Sequence, residues 1–142
     1  MARDVIIAAG QEIPCTVELA MNAELSQAFC RLIDDRNPVH FDDAFARAKG
    51  FPGAIAHGAI AASLLPRLLT KWLGAWPLAQ DDIDVSFVAP LLVGDTVTAR
   101  GRCIAVQDDA ILCELWCENQ DGKPVIKGQA RIGRRPAASP AR

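Results

Sequence analysis

A carboxylate and an imidazole stand at Asp35 and His40, with Asn37 and Pro38 between them. General acid–base chemistry needs two titratable groups held at a fixed separation. Pro38 supplies the stiffness, because its φ is locked at about −65° and it biases Asn37 towards extended backbone. A second feature follows at His57-Gly58, which opens the small and apolar run AIAASLL. That step reads as a helix start, where free backbone N–H groups and the positive end of the helix dipole can meet a negative oxygen. Asn37 is expected to fix the loop by bonding nearby backbone, as Asx residues do.

These residues need elements to hold them. Asn22 is a good N-cap for AELSQAFCRLI, whose Leu25, Phe29 and Leu32 fall at helical spacing, so a helix delivers the chain to Asp34-Asp35. Asn37-Pro38 stops it. FDDAFARAKG, residues 41–50, reads as a short helix closed by Gly50, with Asp42-Asp43 as a solvated start. From Gly58 to Leu73 apolar residues occur nearly all round, the mark of a helix buried on most sides. Pro66 deletes one of its hydrogen bonds and should kink or break it. Residues 5–10 and 13–20 are short apolar or alternating pieces, the second suiting a half-buried strand, and strand patterns occupy the rest: Ile83 to Phe87, Asp95 to Val106, Ile111 to Glu118 and Val125 to Ile132. Asp108-Asp109 and Asn119-Gln120-Asp121-Gly122 mark turns, and the spacing predicts an antiparallel meander. The fold class is α+β, a curved sheet wrapped round a long buried helix, with no internal repeat.

The chain has 142 residues, enough for one domain with a real core and no need of disulfide or metal staples. Its Pro, Ala, Ser and Arg tail predicts a folded domain over 1–134 and disorder over 135–142. A net charge of −2 argues against nucleic acid as partner. A hydrophobic fraction of 51% is slightly high, and predicts apolar surface covered in an oligomer. No apolar run approaches a bilayer span, and the N-terminus is a poor signal peptide, so no membrane and a cytoplasmic location are expected. The five cysteines form no C-x-x-C pair; Cys113 and Cys117, four apart in a strand, would lie about 13 Å apart, too far for a disulfide. All five are expected as buried free thiols. No metal site is indicated by the spacing of two histidines and scattered acids.

Asp35-Arg36-Asn37-Pro38-Val39-His40, followed by Ile55-Ala56-His57-Gly58, resembles the signature of the (R)-specific enoyl-CoA hydratases, the MaoC-like dehydratases of the hotdog fold. Phe87-Val88-Ala89-Pro90-Leu91-Leu92-Val93-Gly94-Asp95 is similar to the family's F-x-x-P-x-x-x-G-D segment, so the resemblance covers roughly residues 10 to 134. It implies a single hotdog domain and a hydro-lyase of fatty acid metabolism. That enzyme adds water to trans-2-enoyl thioesters to give (R)-3-hydroxyacyl thioesters, or reverses the step. The resemblance casts Asp35 and His40 as the catalytic pair gripping one water between them, and the Gly58 amide as receiver of the thioester oxygen. It implies no cofactor beyond the CoA or acyl-carrier moiety of the substrate, and a homodimer with a continuous sheet.

Blander roles stand beside these. Asp34-Asp35 could be only a helix C-terminal turn, and Gly58 could be only a glycine that eases helix packing. His57 is expected in a supporting role, bonding backbone or the loop after Asp35, rather than in the chemistry. Trp72, Trp76 and Trp116 read as core or interface, and Asp95 as a turn residue. Arg47, Lys49, Arg67 and Lys71 could meet nucleotide phosphates or merely solubilise. Three positions depart from the family pattern: Asp34 where glycine or another acid is usual, Ala54 where proline often stands, and Pro66 where some members carry a polar residue near substrate. The alternatives are a hotdog acyl-CoA thioesterase, and a non-catalytic subunit that binds an acyl thioester within a hydratase complex.

Overall fold

The computed structural model describes residues 7–74 and 82–133. Trp76 and the tail expected to be disordered lie outside them. In chain order the elements are β1 (Val17–Ala20), α1 (Ala23–Leu32), a 3₁₀ turn (Pro38–His40), α2 (Asp43–Ala48), α3 (Gly58–Ala62), α4 (Leu64–Leu73), β2 (Asp82–Phe87), β3 (Thr96–Val106), β4 (Ala110–Glu118) and β5 (Pro124–Gly133). The strands form one antiparallel sheet in the order β1-β3-β4-β5-β2. The expected meander therefore holds for β3, β4 and β5. β2 lies beyond β5, because the helices between β1 and β2 must cross the face of the sheet and deliver the chain to its far edge.

Period-two alternation selects the inner face. Val97, Ala99 and Cys103 of β3 and Ile111, Cys113, Leu115 and Cys117 of β4 are wholly buried. Leu64, Leu65, Leu68, Leu69 and Trp72 of α4 pack into the same core. Leu65 and Leu68 have no exposed surface, so truncating either to Ala would cost about 2–5 kcal/mol. This is the sheet-round-a-helix arrangement that the hotdog resemblance implies.

The helix breaks, though not at Pro66 itself. The interruption falls at Ser63, so that Pro66 stands in the first turn of α4. A proline ring collides with the carbonyl four residues back, here Ala62, and its missing N–H costs nothing in a first turn. Ser63 turns its hydroxyl to Ile60 O at 2.6 Å, which tightens the step.

All five cysteines are free thiols; Cys30, Cys103, Cys113 and Cys117 are buried as expected, whereas Cys15 is only half-buried. Burial pushes Cys113 and Cys117 up to about 12, as expected of small apolar core residues. Among the described residues no helix is long and apolar enough to cross a membrane.

Candidate active site

The end of α1 sets the site. Asn22 caps its start by accepting from the Leu25 amide at 2.8 Å. Its last turn closes as a Schellman motif: the Asp35 amide donates to Cys30 O at 2.9 Å and the Asp34 amide to Arg31 O at 3.3 Å. Asp34 sits in the left-handed position of that motif at φ 54°, where glycine is the usual residue. Its side chain turns to solvent and pairs with Arg36 at 3.0 Å. Asp34 therefore serves the turn and does not share a site with Asp35. Left-handed backbone costs an ordinary residue about 1–2 kcal/mol, partly offset by glycine's extra entropy loss of about 0.5–1 kcal/mol. Asp34→Gly should accordingly raise stability by about 0.5–1 kcal/mol in thermal unfolding, and a lowered midpoint would contradict this account of the turn.

After Asp35 two Asx turns follow in series. Asp35 Oδ1 accepts from the Asn37 amide at 3.0 Å, and Asn37 Oδ1 from the Val39 amide at 3.1 Å. Pro38 starts the 3₁₀ turn, so the D-x-N-P-x-H spacing is a device for presenting Asp35 and His40 together. Asn37 bonds backbone as expected. His40 Nδ1 lies 2.7 Å from Ile55 O, and a carbonyl can only accept, so Nδ1 carries the proton and Nε2 keeps the lone pair.

The stretch 54–56 aims the next residues. It is clamped on one side by Ile55 N donating to Val39 O at 3.0 Å, and on the other by Ala56 N donating to Leu91 O at 2.8 Å and Val93 N donating to Ala54 O at 2.9 Å. Asp95, expected as a turn residue, is also a buried clasp for that outer segment. Its carboxylate accepts from the Leu92 amide at 2.9 Å and from Gln120 Nε2 at 2.8 Å. Asp43 is more than a solvated helix start, since it accepts from the Ala54 amide at 2.8 Å, while Asp42 caps α2 through the Phe45 amide.

Three side chains converge. Asp35 Oδ2 is 2.8 Å from His57 Nε2 and 3.3 Å from His40 Nε2. His57 thus bonds Asp35 itself, a contact beyond the backbone or loop bond expected of it. The two imidazoles stack at 3.7 Å with 21° between planes, and Phe29 tilts against His57 at 5.0 Å. The Asn37 amide, then the His57 hydrogen bond, hold the Asp35 carboxyl below its ordinary range. At 3.3 Å no water fits on the line between Asp35 and His40; one bonded to both must sit beside them.

The three ligand-type atoms lie within 4.8 Å of one another, a grouping that spacing along the sequence did not reveal. A metal would have to lie in the plane of both rings. Planes stacked this closely and 21° apart do not meet within a metal–nitrogen bond of about 2.0–2.1 Å. The set as it stands suits protons and water.

Gly58 begins α3 beside a cavity of about 650 Å³ whose walls include Phe51, Ile55, His57, Phe87, Leu91 and Val125. Its amide donates to no other described residue. A Cβ on Gly58 would stand 2.5 Å from Cε1 of Phe87, so this ring lies flush on the glycine. Asp35 opens on a second hollow of about 720 Å³ that carries Arg31, Arg36 and Phe41. His57, lining the first cavity and touching Asp35, joins the two. Of the basic residues considered for phosphates, Arg47 donates to Pro52 O and Lys71 to Thr16 O, while Lys49 lies over the Phe45 ring. Phe87, Phe29 and the Ile55 carbonyl escaped the reading of the sequence as site groups, although Phe87 heads the F-x-x-P segment singled out there.

Comparison with known proteins bears on the family and the fold. Over 130 residues the chain is 34% identical to an (R)-specific enoyl-CoA hydratase of Aeromonas caviae, covering 82% of this chain and 95% of that one. It is 30% identical over 107 residues to the mitochondrial 3-hydroxyacyl-[acyl-carrier-protein] dehydratase FERN of Solanum lycopersicum, covering 72% of this chain and 63% of that one. The solved (R)-hydratase from A. caviae involved in PHA biosynthesis superposes with a TM-score of 0.73 at 29% identity, over 89% of this chain and 96% of that one. Residues 7–131 match the model of the MaoC-like domain. With the D-x-N-P-x-H turn, the His-Gly step and a sheet wrapped on a helix all in place, the chain belongs to the MaoC-like domain family.

Proposed function

We propose that the protein is a hydro-lyase that adds water to a trans-2-enoyl thioester to form an (R)-3-hydroxyacyl thioester, or runs the reverse dehydration. The observation that carries this reading is the contact of Asp35 with His40, with Nδ1 of His40 tied to Ile55 O and its Nε2 left as a base. A water beside the pair donates one hydrogen bond to Asp35 and one to His40 Nε2. As its oxygen bonds to Cβ, its proton passes to Nε2. The imidazolium so formed is stabilised by the ionised Asp35 and returns that proton to Cα on the same face. Charge building on the thioester oxygen is received by the Gly58 amide, backed by the start of α3; such a donor is worth roughly 3–4 kcal/mol. Asn37 supports the site by holding the turn. No cofactor enters this sequence of steps.

We assign a homodimer as the working form. β2 pairs only with β5 among the described strands, and Phe87 and Val88 at its end are exposed, so a second copy would cover both an open edge and apolar surface. A solution mass near twice 15.2 kDa is the expected result. The five free thiols fit the reducing cytoplasm, which is the compartment we assign.

The test is incubation with crotonyl-CoA. Loss of the enoyl absorbance without release of free thiol supports hydration. Thiol release instead would make the protein a thioesterase, and neither change would leave it a binding subunit.

A further inference from the structure

We infer that His57 is a positioning residue, a neutral imidazole in the opposite tautomer to His40, whose only polar duty is to hold Asp35 by one N–H. A carboxylate accepts, so the 2.8 Å contact puts the proton of His57 on Nε2. Its Nδ1 is buried with no hydrogen-bond partner among the described residues. A second proton there would create a charged donor with nothing to bond, which burial penalises heavily. The ring cannot turn to relieve this, since His40 stacks on it and Phe29 packs against it. His57 therefore acts as a fixed donor to Asp35, and the proton-carrying role falls to its stacked neighbour.

The consequence falls on Asp35. Oδ1 is taken by the Asn37 amide and Oδ2 by His57, so the carboxylate is fixed in orientation before substrate arrives. The other groups facing it are His40 and the Cys30 thiol; Asp34 and Arg36 are paired with each other in solvent. The inference rests on the hydratase reading for its kinetic arm and not for its spectroscopic one.

The chain contains two histidines, so the imidazole nitrogens of the untagged, ¹⁵N-labelled protein can be assigned without ambiguity. At neutral pH one ring should be an Nδ1–H tautomer, His40, and the other a neutral Nε2–H tautomer, His57. An Nδ1–H or doubly protonated His57 would overturn the inference. In the kinetic arm, His57→Leu should lower kcat for crotonyl-CoA about ten- to a hundredfold, the worth of one hydrogen bond to a charged group, with little change in KM. Its acid limb should also move to higher pH. His57→Gln, whose amide can put an N–H near the position of Nε2, should recover most of the rate and the limb. Wild-type kinetics in His57→Leu, or equal damage in both variants, would refute the role. Should His57→Leu not fold, His57→Gln and the spectra still decide. Absence of hydration in the wild type would instead sink the hydratase reading alone.

Discussion

Asp35→Asn should lower kcat for enoyl-thioester hydration by about 10²–10⁴, the usual worth of a positioned acid–base group. Two losses combine. The amide cannot carry the negative charge that stabilises an imidazolium at His40, 3.3 Å away. It also cannot accept from both the Asn37 amide and His57 Nε2, because only one of its two terminal atoms accepts. Whichever way the amide turns, one of those bonds becomes a clash of donors. His40→Ala should cost a comparable factor by removing the proton carrier while leaving the Asp35–His57 bond intact. Acid titration reads the same carboxylate from another side. The folded pKa of Asp35 lies below the ordinary 3.8, so its contribution to stability is fully present above that value and is lost as pH falls through the folded pKa. The Asp35→Asn protein should show a flatter dependence of unfolding on pH in that acid window. Hydration at the wild-type rate in either variant would remove the pair from the chemistry.

Gly58→Ala should lower kcat/KM by about a hundredfold, although it keeps the backbone N–H. An added methyl would stand 2.5 and 2.6 Å from two carbons of the Phe87 ring, well inside contact distance. Either the ring swings away, opening the cavity wall, or the start of α3 shifts and carries the amide with it. Displacements near 1 Å at a reacting centre can cost about 10² in rate. Alanine is otherwise the better helix former, by about 1 kcal/mol. The sign of the stability change therefore reports the clash: a destabilised Gly58→Ala protein means that the ring is in the way. Adding Phe87→Ala removes the obstruction, and the double variant should be more active than Gly58→Ala alone. A fully active single variant would mean that close approach at Gly58 is dispensable.

Much of this architecture was legible in the residues. Asn22 as a cap, the apolar helix from Gly58, the strand alternation and the Asp121-Gly122 turn depend on neighbours within a few positions, where backbone preference decides. D-x-N-P-x-H is of the same kind, since each Asx side chain bonds an amide two residues on. The contacts that complete the site are of another kind. Asp35 to His57 spans 22 positions, and the Phe87 ring reaches Gly58 from the edge strand. Asp43 and the Ala54 amide meet only when the loop between them folds back. No local spacing encodes these meetings, because they follow from how α1, α3 and β2 are packed. Asp34 shows the middle case: the turn was visible, but its left-handed backbone became clear only from the Schellman bonds.

Hydration of crotonyl-CoA in D₂O, with the product's configuration read by NMR, bears most directly on a single proton carrier beside a single water. The deuterium at Cα and the hydroxyl at Cβ should lie on the same face, with R configuration at Cβ. Addition across opposite faces, or an S product, would contradict the shared grip of Asp35 and His40 on the water.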